Sequence, residues 1–235
     1  MTTLIACSHG TRFAEGRRAV ADLVSQVAAL LPDVRVLPAF VDVEEPAVAD
    51  VVAGLAPGEP VVVVPLLLSR GFHTGVDIAQ AVEGRSNAVA AEPLGPHPLL
   101  ADVLVTRLAE IASGDAGHRP GDHVVLAASG STNPVAVEDV ERVRALLQDR
   151  LPVPVTVGYA AGASPRISDA VAAARADGAD RVVVASYVLA PGFFADLVAA
   201  AGGDEVSAPL CRADDSTDIR VAQVVAERFR AVLPR

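Results

Sequence analysis

The residues best suited to chemistry are two histidines, each close to a glycine: His9 in CSHGTR and His73 in RGFHTG. A neutral imidazole ligates borderline divalent ions such as Fe²⁺, Co²⁺ or Ni²⁺, and near pH 7 it also accepts a proton. Asp42, in FVDVEEP, offers a carboxylate to the same ion. A carboxylate placed after a strand serves equally as a turn or helix-cap residue, so both readings of Asp42 stand. Glu44 and Glu45 read as first-turn helix charges. Cys7 lies two residues before His9 and reads as a small buried thiol. Gly10, Gly71 and Phe72 suit loops in which backbone passes close to a flat ligand or adopts positive φ. Arg12 and Arg70 flank the two histidine motifs. Each either pairs bidentately with a ligand carboxylate or is an ordinary surface arginine. His97 reads as the start of a helix, and His118 and His123 receive no role.

These groups act together only if the fold gathers them. Short runs rich in Val and Leu (Thr3–Cys7, Pro60–Leu68, His123–Ala127, Arg181–Tyr187) read as strands buried on both faces. Amphipathic segments between them (Arg17–Leu31, Val135–Leu151, Ile219–Val232) read as helices. The alternation predicts βαβ units and parallel sheets. Ser164 before Pro165, and Pro134 in a first turn, mark helix starts. Pro38 places the second strand at a sheet edge or a bulge. In an open parallel sheet, ligands bind beyond the carboxyl ends of the strands. His9 follows the first strand, Asp42 the second and His73 the third. A flavodoxin-like 2-1-3 order makes these ends neighbours, about 4.8 Å apart per strand.

The chain is written twice. Aligning PLLLSRGFHTGVDI (Pro65–Ile78) with SYVLAPGFFADLV (Ser186–Val198) sets Gly71 on Gly192 and His73 on Phe194. LIACSHGTR (Leu4–Arg12) matches VVLAASGST (Val124–Thr132), with His9 on Ser129 and Gly10 on Gly130. AFVDVEEPAVADVV (Ala39–Val52) answers GYAAGASPRISDAV (Gly158–Val171), with Pro46 on Pro165. Three blocks at nearly one offset imply two homologous domains, 1–116 and 117–235. A polar linker at Ser113–Asp122 joins them.

Composition narrows the function. The 235 residues are 51% hydrophobic and 3% aromatic, so Val, Leu and Ala fill the core. A net charge of −10 argues against nucleic acid. All the basic residues are arginine. No apolar run reaches the ~18 residues of a membrane span, and no signal peptide is evident. Two cysteines, far apart, suggest neither a disulfide framework nor an iron–sulfur site. A cytoplasmic enzyme fits these features.

SHGTR, FVDVEEP and PLLLSRGFHTGVDI together resemble the sirohydrochlorin cobalto- and ferrochelatases, the class II chelatases. The resemblance spans both halves, since longer members of that family are two fused α/β repeats. It implies two flavodoxin-like domains with a cleft between them. His9 and His73 match the family's two metal-binding, catalytic histidines. Asp42 falls where the family often has glutamate. The resemblance further implies ATP-independent insertion of Co²⁺ or Fe²⁺ into sirohydrochlorin or a related tetrapyrrole, in siroheme or cobalamin biosynthesis. The absence of a GxxxxGK[ST] motif agrees with this. The metal is then substrate, with no nucleotide and no iron–sulfur cluster. Ser129 and Phe194 replace the histidines in the second half, which implies one metal site per chain. Phe193 and Phe194 would pack on the macrocycle, and Arg12 and Arg70 would meet its carboxylates. Two covalent repeats can replace a homodimer, so a monomer is expected. The competing readings are a protohaem or coproporphyrin ferrochelatase, a metal or tetrapyrrole carrier without turnover, and a phosphohistidine-type phosphatase. The last lacks its arginine here, because Ser8 precedes His9.

Overall fold

The computed structural model describes residues 1–111, 119–214 and 217–233, with the side chains of 72–75 left aside. The expected linker at Ser113–Asp122 and His118 lie largely or wholly outside the described residues. The first half runs β1 (Thr3–Ser8), α1 (Ala14–Leu30), β2 (Arg35–Phe40), α2 (Val48–Gly54), β3 (Val61–Pro65), α3 (Phe72–Val82), β4 (Ala88–Ala90) and α4 (Pro98–Ile111). The second runs β5 (Asp122–Ala128), α5 (Pro134–Gln148), β6 (Val155–Tyr159), α6 (Ile167–Ala176), β7 (Arg181–Tyr187), α7 (Phe193–Ala199), β8 (Glu205–Val206) and α8 (Ile219–Ala231). The two sheets are all-parallel, in the orders β2-β1-β3-β4 and β6-β5-β7-β8. This is the expected 2-1-3 order, written twice.

Alternation along the strands sorts side chains into layers. Leu4, Ala6, Val62 and Val64 point to one face of the first sheet, and Ile5, Cys7, Val61 and Val63 to the other. The first face packs on α1 and α4, the second on α2 and α3. The second sheet repeats this, with Val125, Ala127, Val182 and Val184 facing α6 and α7. The largest buried cluster joins the halves: residues of α1 and α4 pack in it with residues of α5 and α8. The architecture is five layers, with the four helices α1, α4, α5 and α8 between the sheets.

Local chemistry explains most boundaries. Pro38 lies within β2, which is an edge strand, so its missing N–H costs no ladder bond on the free side. Pro134 opens α5, and the Asn133 side chain caps it by accepting from Val135 N at 3.1 Å. His97 precedes α4, where its Nδ1 accepts from Leu99 N at 3.2 Å. One expected start is displaced. Ser164 does not cap α6, because Arg166 is still extended (φ −65°, ψ 154°) and the helix begins at Ile167.

The repeat extends to single hydrogen bonds. Val41 N donates to Ser8 O at 3.0 Å, and Ala160 N to Ala128 O at 2.9 Å. Asp42 N donates to His9 O at 3.1 Å, and Ala161 N to Ser129 O at 2.9 Å. Glu45–Pro46 and Ser164–Pro165 are both cis.

Candidate functional site

The loops after β1 and β2 are bonded to each other beyond the sheet. The bond from Asp42 N to His9 O sets these two residues side by side at the carboxyl end of the strands. Gly10 makes this approach possible. It sits at φ +90°, and a Cβ there would run into the Asp42 carbonyl oxygen. Gly71, by contrast, has φ −76° and uses no glycine-only conformation. His9 and Asp42 are exposed. Asp42 Oδ1 accepts from Val43 N at 2.8 Å, and Glu44 N closes a tight turn onto Asp42 O at 2.6 Å. Val43, between them, is at φ +64°, a strained position for a β-branched residue.

The two glutamates differ from expectation, since neither is in a helix. Glu44 Oε1 accepts from Thr11 N at 2.7 Å, and its Oε2 lies 3.1 Å from Arg17 Nε. It ties the His9 loop to the Asp42 loop and to α1. Glu45 Oε2 accepts from Ala47 N at 2.9 Å, just before α2. Cys7 is a buried thiol, as read from sequence. Burial, reinforced by the Asp77 charge, pushes its pKa up to about 12.

The third loop crosses to the other half. Leu66 N donates to Cys7 O at 2.7 Å, and Leu67 O accepts from Leu94 N at 2.8 Å. Leu68 O accepts from the buried Tyr187 hydroxyl at 3.0 Å. Arg70 then grips Asp139 of α5: its Nη2 meets Oδ1 at 2.6 Å, and its Nε meets Oδ2 at 3.0 Å. Arg70 reads from sequence either as a partner for a ligand carboxylate or as an ordinary surface arginine; here a carboxylate of the chain itself takes the Nε/Nη2 edge of its guanidinium. Arg12 is exposed and makes no ion pair among the described residues. His73 is the second residue of α3, and strand β3 ending before it neighbours β1. The Phe72 and His73 side chains lie outside the described ones. Among the described residues, no three His, Cys, Asp or Glu side chains gather as a metal site.

The second half holds the same frame with other chemistry. Ser129, Gly130 and Ser131 stand where His9, Gly10 and Thr11 do, and Ala161 stands for Asp42. Ser129, Ser131, Tyr159 and Leu68 line a small cavity with room for about one water. The buried Tyr159 hydroxyl has no hydrogen-bond partner among the described residues, and burial pushes its pKa up to about 12. Phe193 (60% exposed) and Phe194 (40%) begin α7 with their rings edge to face at 5.5 Å. The loop before them rests on the start of α1: a Cβ on Gly16 would meet Pro191 O and Thr11. Phe13, 42% exposed, borders the same junction. A groove of 540 Å³ is lined by that loop at Pro191 and Gly192 and by Asp196, Ser207 and Arg212. It includes neither His9 nor Asp42.

Sequence reasoning missed Phe13, Glu44 and Asp139. For Asp139 a signal existed. It falls on the buried stripe of α5 with Ala136, Val140, Val143 and Leu147, where an acidic residue requires a partner.

Comparisons with known proteins agree with this frame. A family model described as CbiX matches residues 3–111 and 123–203. A sirohydrochlorin cobaltochelatase of Priestia megaterium is 26% identical over 82% of the chain, which spans 65% of that protein's length. One of Methanococcoides burtonii is 26% identical over 46% of the chain and 95% of its own length. Among solved structures, SirB from Bacillus subtilis with Fe³⁺ superposes with a TM-score of 0.74 at 18% identity, covering 98% of this chain and 95% of that one. CbiX, described as the terminal enzyme of siroheme biosynthesis in denitrifying bacteria, gives 0.70 at 20% identity over the whole of both chains.

Proposed function

Because the chain belongs to the CbiX family, we propose that it inserts Co²⁺ or Fe²⁺ into sirohydrochlorin or a closely related tetrapyrrole, without a nucleotide. The observation that carries this reading is the junction of the His9 and Asp42 loops at the strand ends, beside the strand that leads to His73. His9 and His73 are the metal-holding and catalytic groups. Asp42 has one oxygen turned back onto Val43 N, and the other is its donor to the ion. Insertion exchanges one M²⁺ for two protons of the pyrrole nitrogens. As the ion passes to the ring nitrogens, an imidazole it leaves takes up one of these protons and hands it to water, and water takes the other directly. The exposed rings of Phe193 and Phe194 form an apolar surface for the macrocycle, joined by Phe13 from the first half. Arg12 meets a carboxylate on its rim. The metal is substrate. The protein works as a cytoplasmic monomer, with the second repeat replacing a partner subunit.

The test follows the absorption spectrum of sirohydrochlorin mixed anaerobically with Co²⁺ or Fe²⁺ and the protein. Insertion should outpace the protein-free rate, and His9→Ala and His73→Ala should each lose at least about 100-fold. Binding of the pigment without faster insertion would establish a carrier instead.

A further inference from the structure

We propose that Asp139 of the second half is a positioning residue for the metal site of the first: it clamps the loop that carries His73. The inference rests on the reading of His73 as a metal ligand. Asp139 has no exposed side-chain surface. Such a carboxylate is tolerated only when its oxygens are matched by donors. Among the described residues, its hydrogen bonds come from one residue of the other half. Arg70 N donates to Oδ2 at 3.1 Å, Arg70 Nε to Oδ2 at 3.0 Å and Arg70 Nη2 to Oδ1 at 2.6 Å. Arg142 adds a looser contact at 3.7 Å. The pair thus fixes Arg70 through main chain and side chain together. Asn133 Nδ2 holds Arg70 O at 3.0 Å, and the Tyr187 hydroxyl holds Leu68 O. Three side chains of the second half therefore bind a stretch that ends three residues before His73.

The pseudo-symmetric contact shows that none of this is needed merely to join the halves. There the loop before α7 rests on the start of α1, with Pro191 in the place of Arg70. In the repeat alignment, Phe13, Ala19 and Leu66 stand where Asn133, Asp139 and Tyr187 do. That contact is made by close packing on Gly16. The half whose loop carries His73 is held by hydrogen bonds, which fix direction as well as distance. The loop that carries Phe194 receives no such bond from the other half among the described residues; its Leu189 O is held by Cys211 N of its own half at 2.8 Å. A group that orients a metal ligand from behind changes metal affinity by about 10- to 100-fold when removed.

The test uses the full chain without tetrapyrrole. Arg70→Leu/Asp139→Leu removes the pair and leaves no buried charge unmatched. Asn133→Ser keeps a helix cap and withdraws the amide from Arg70 O. Thermal unfolding, Co²⁺ titration followed by the d–d absorption band, and sirohydrochlorin binding are measured beside wild type and His73→Ala. The double variant should melt close to wild type, bind Co²⁺ at least about tenfold more weakly with a shifted band, and bind sirohydrochlorin as before. Asn133→Ser should move in the same direction by about threefold. If the double variant does not fold, Asn133→Ser decides. A folded variant with the Co²⁺ affinity and band of wild type overturns the clamp. So does an equal loss of Co²⁺ and sirohydrochlorin binding. If His73→Ala itself binds Co²⁺ like wild type, the reading of His73 falls and the clamp falls with it.

Discussion

Val43 is the one non-glycine residue at positive φ among the described residues, and it follows Asp42 directly. Its repeat counterpart, Gly162, adopts φ +68° in the same turn, with Ala163 N closing onto Ala161 O at 2.8 Å. The same backbone is thus strained in the half with the histidines and relaxed in the other. Left-handed backbone costs a β-branched residue roughly 1–3 kcal/mol, against which glycine loses up to ~1 kcal/mol through a more flexible unfolded chain. Val43→Gly should therefore raise stability by about 1 kcal/mol, or about 2–4 °C in Tm for a chain of this size. Gly162→Val should lower it by more, because a Cβ there would also press on Ser131. Thermal melts of both variants check the pair. The cysteines give a second test at this scale. Burial raises both Cys7 and Cys211 to about 12, against 9.0 for a free thiol. Below pH 9 both are neutral, folded or unfolded. Above it the unfolded chain releases protons that the native chain holds, so stability falls as pH rises from 9 towards 12. Cys7→Ala/Cys211→Ala should flatten that alkaline loss in denaturant titrations, and native protein at pH 8 should resist a thiol reagent. Histidines beside glycines, and a carboxylate after a strand, were legible in the sequence because loop chemistry is local. The partner of Arg70 was not, since it lies 69 residues away.

At the scale of elements, legibility followed periodicity. Runs such as Val61–Pro65 and Arg181–Tyr187 are buried on both faces, so their composition alone marks them as central parallel strands. The start of α6 was misread because Ser164, a good capping type, stands two residues before Arg166, which is still extended. Helix α8 illustrates a cap that does act. Asp218 accepts from Arg220 N at 3.0 Å and pairs with the Arg220 guanidinium at 2.5 Å. The Arg220 side chain, with help from the backbone bond, holds the Asp218 carboxyl below its ordinary 3.8. A depressed folded pKa stabilises above the unfolded value, and the effect is lost as pH falls through the folded one. Asp218→Ala should cost about 1–2 kcal/mol near pH 7. The difference from wild type should shrink as pH falls from about 4 towards 2. Urea unfolding across that range measures both the magnitude and the sign.

The repeat suggested two homologous domains, 1–116 and 117–235. At the scale of the whole molecule, the packing joins them more closely than that. Leu23 and Val27 of α1, Leu100 and Leu104 of α4, Val143 and Leu147 of α5, and Val221 and Val225 of α8 belong to one buried cluster. Arg228 reaches from α8 to Leu94 O and Pro96 O at 3.1 and 3.0 Å, and Arg107 of α4 reaches Leu210 O at 3.0 Å. Sequence periodicity shows which face of each helix is apolar, but it cannot show that two such faces meet across 100 residues of chain. Each large side chain at that seam contributes ~1.5–3 kcal/mol by burial, and separating the halves would return these apolar faces to water. A fragment of residues 1–111 should therefore fail to fold as a stable monomer. It should aggregate, or pair with itself through α1 and α4 in the way the second repeat now serves. The intact chain should unfold in one transition, with calorimetric and van't Hoff enthalpies in agreement. Two resolved transitions, or a monomeric fragment with a cooperative melt of its own, would show instead that the seam is only a contact between independent domains. The clamp on the His73 loop would then lose its rigid support, because Asp139 holds position only as firmly as α5 is fixed against the first half.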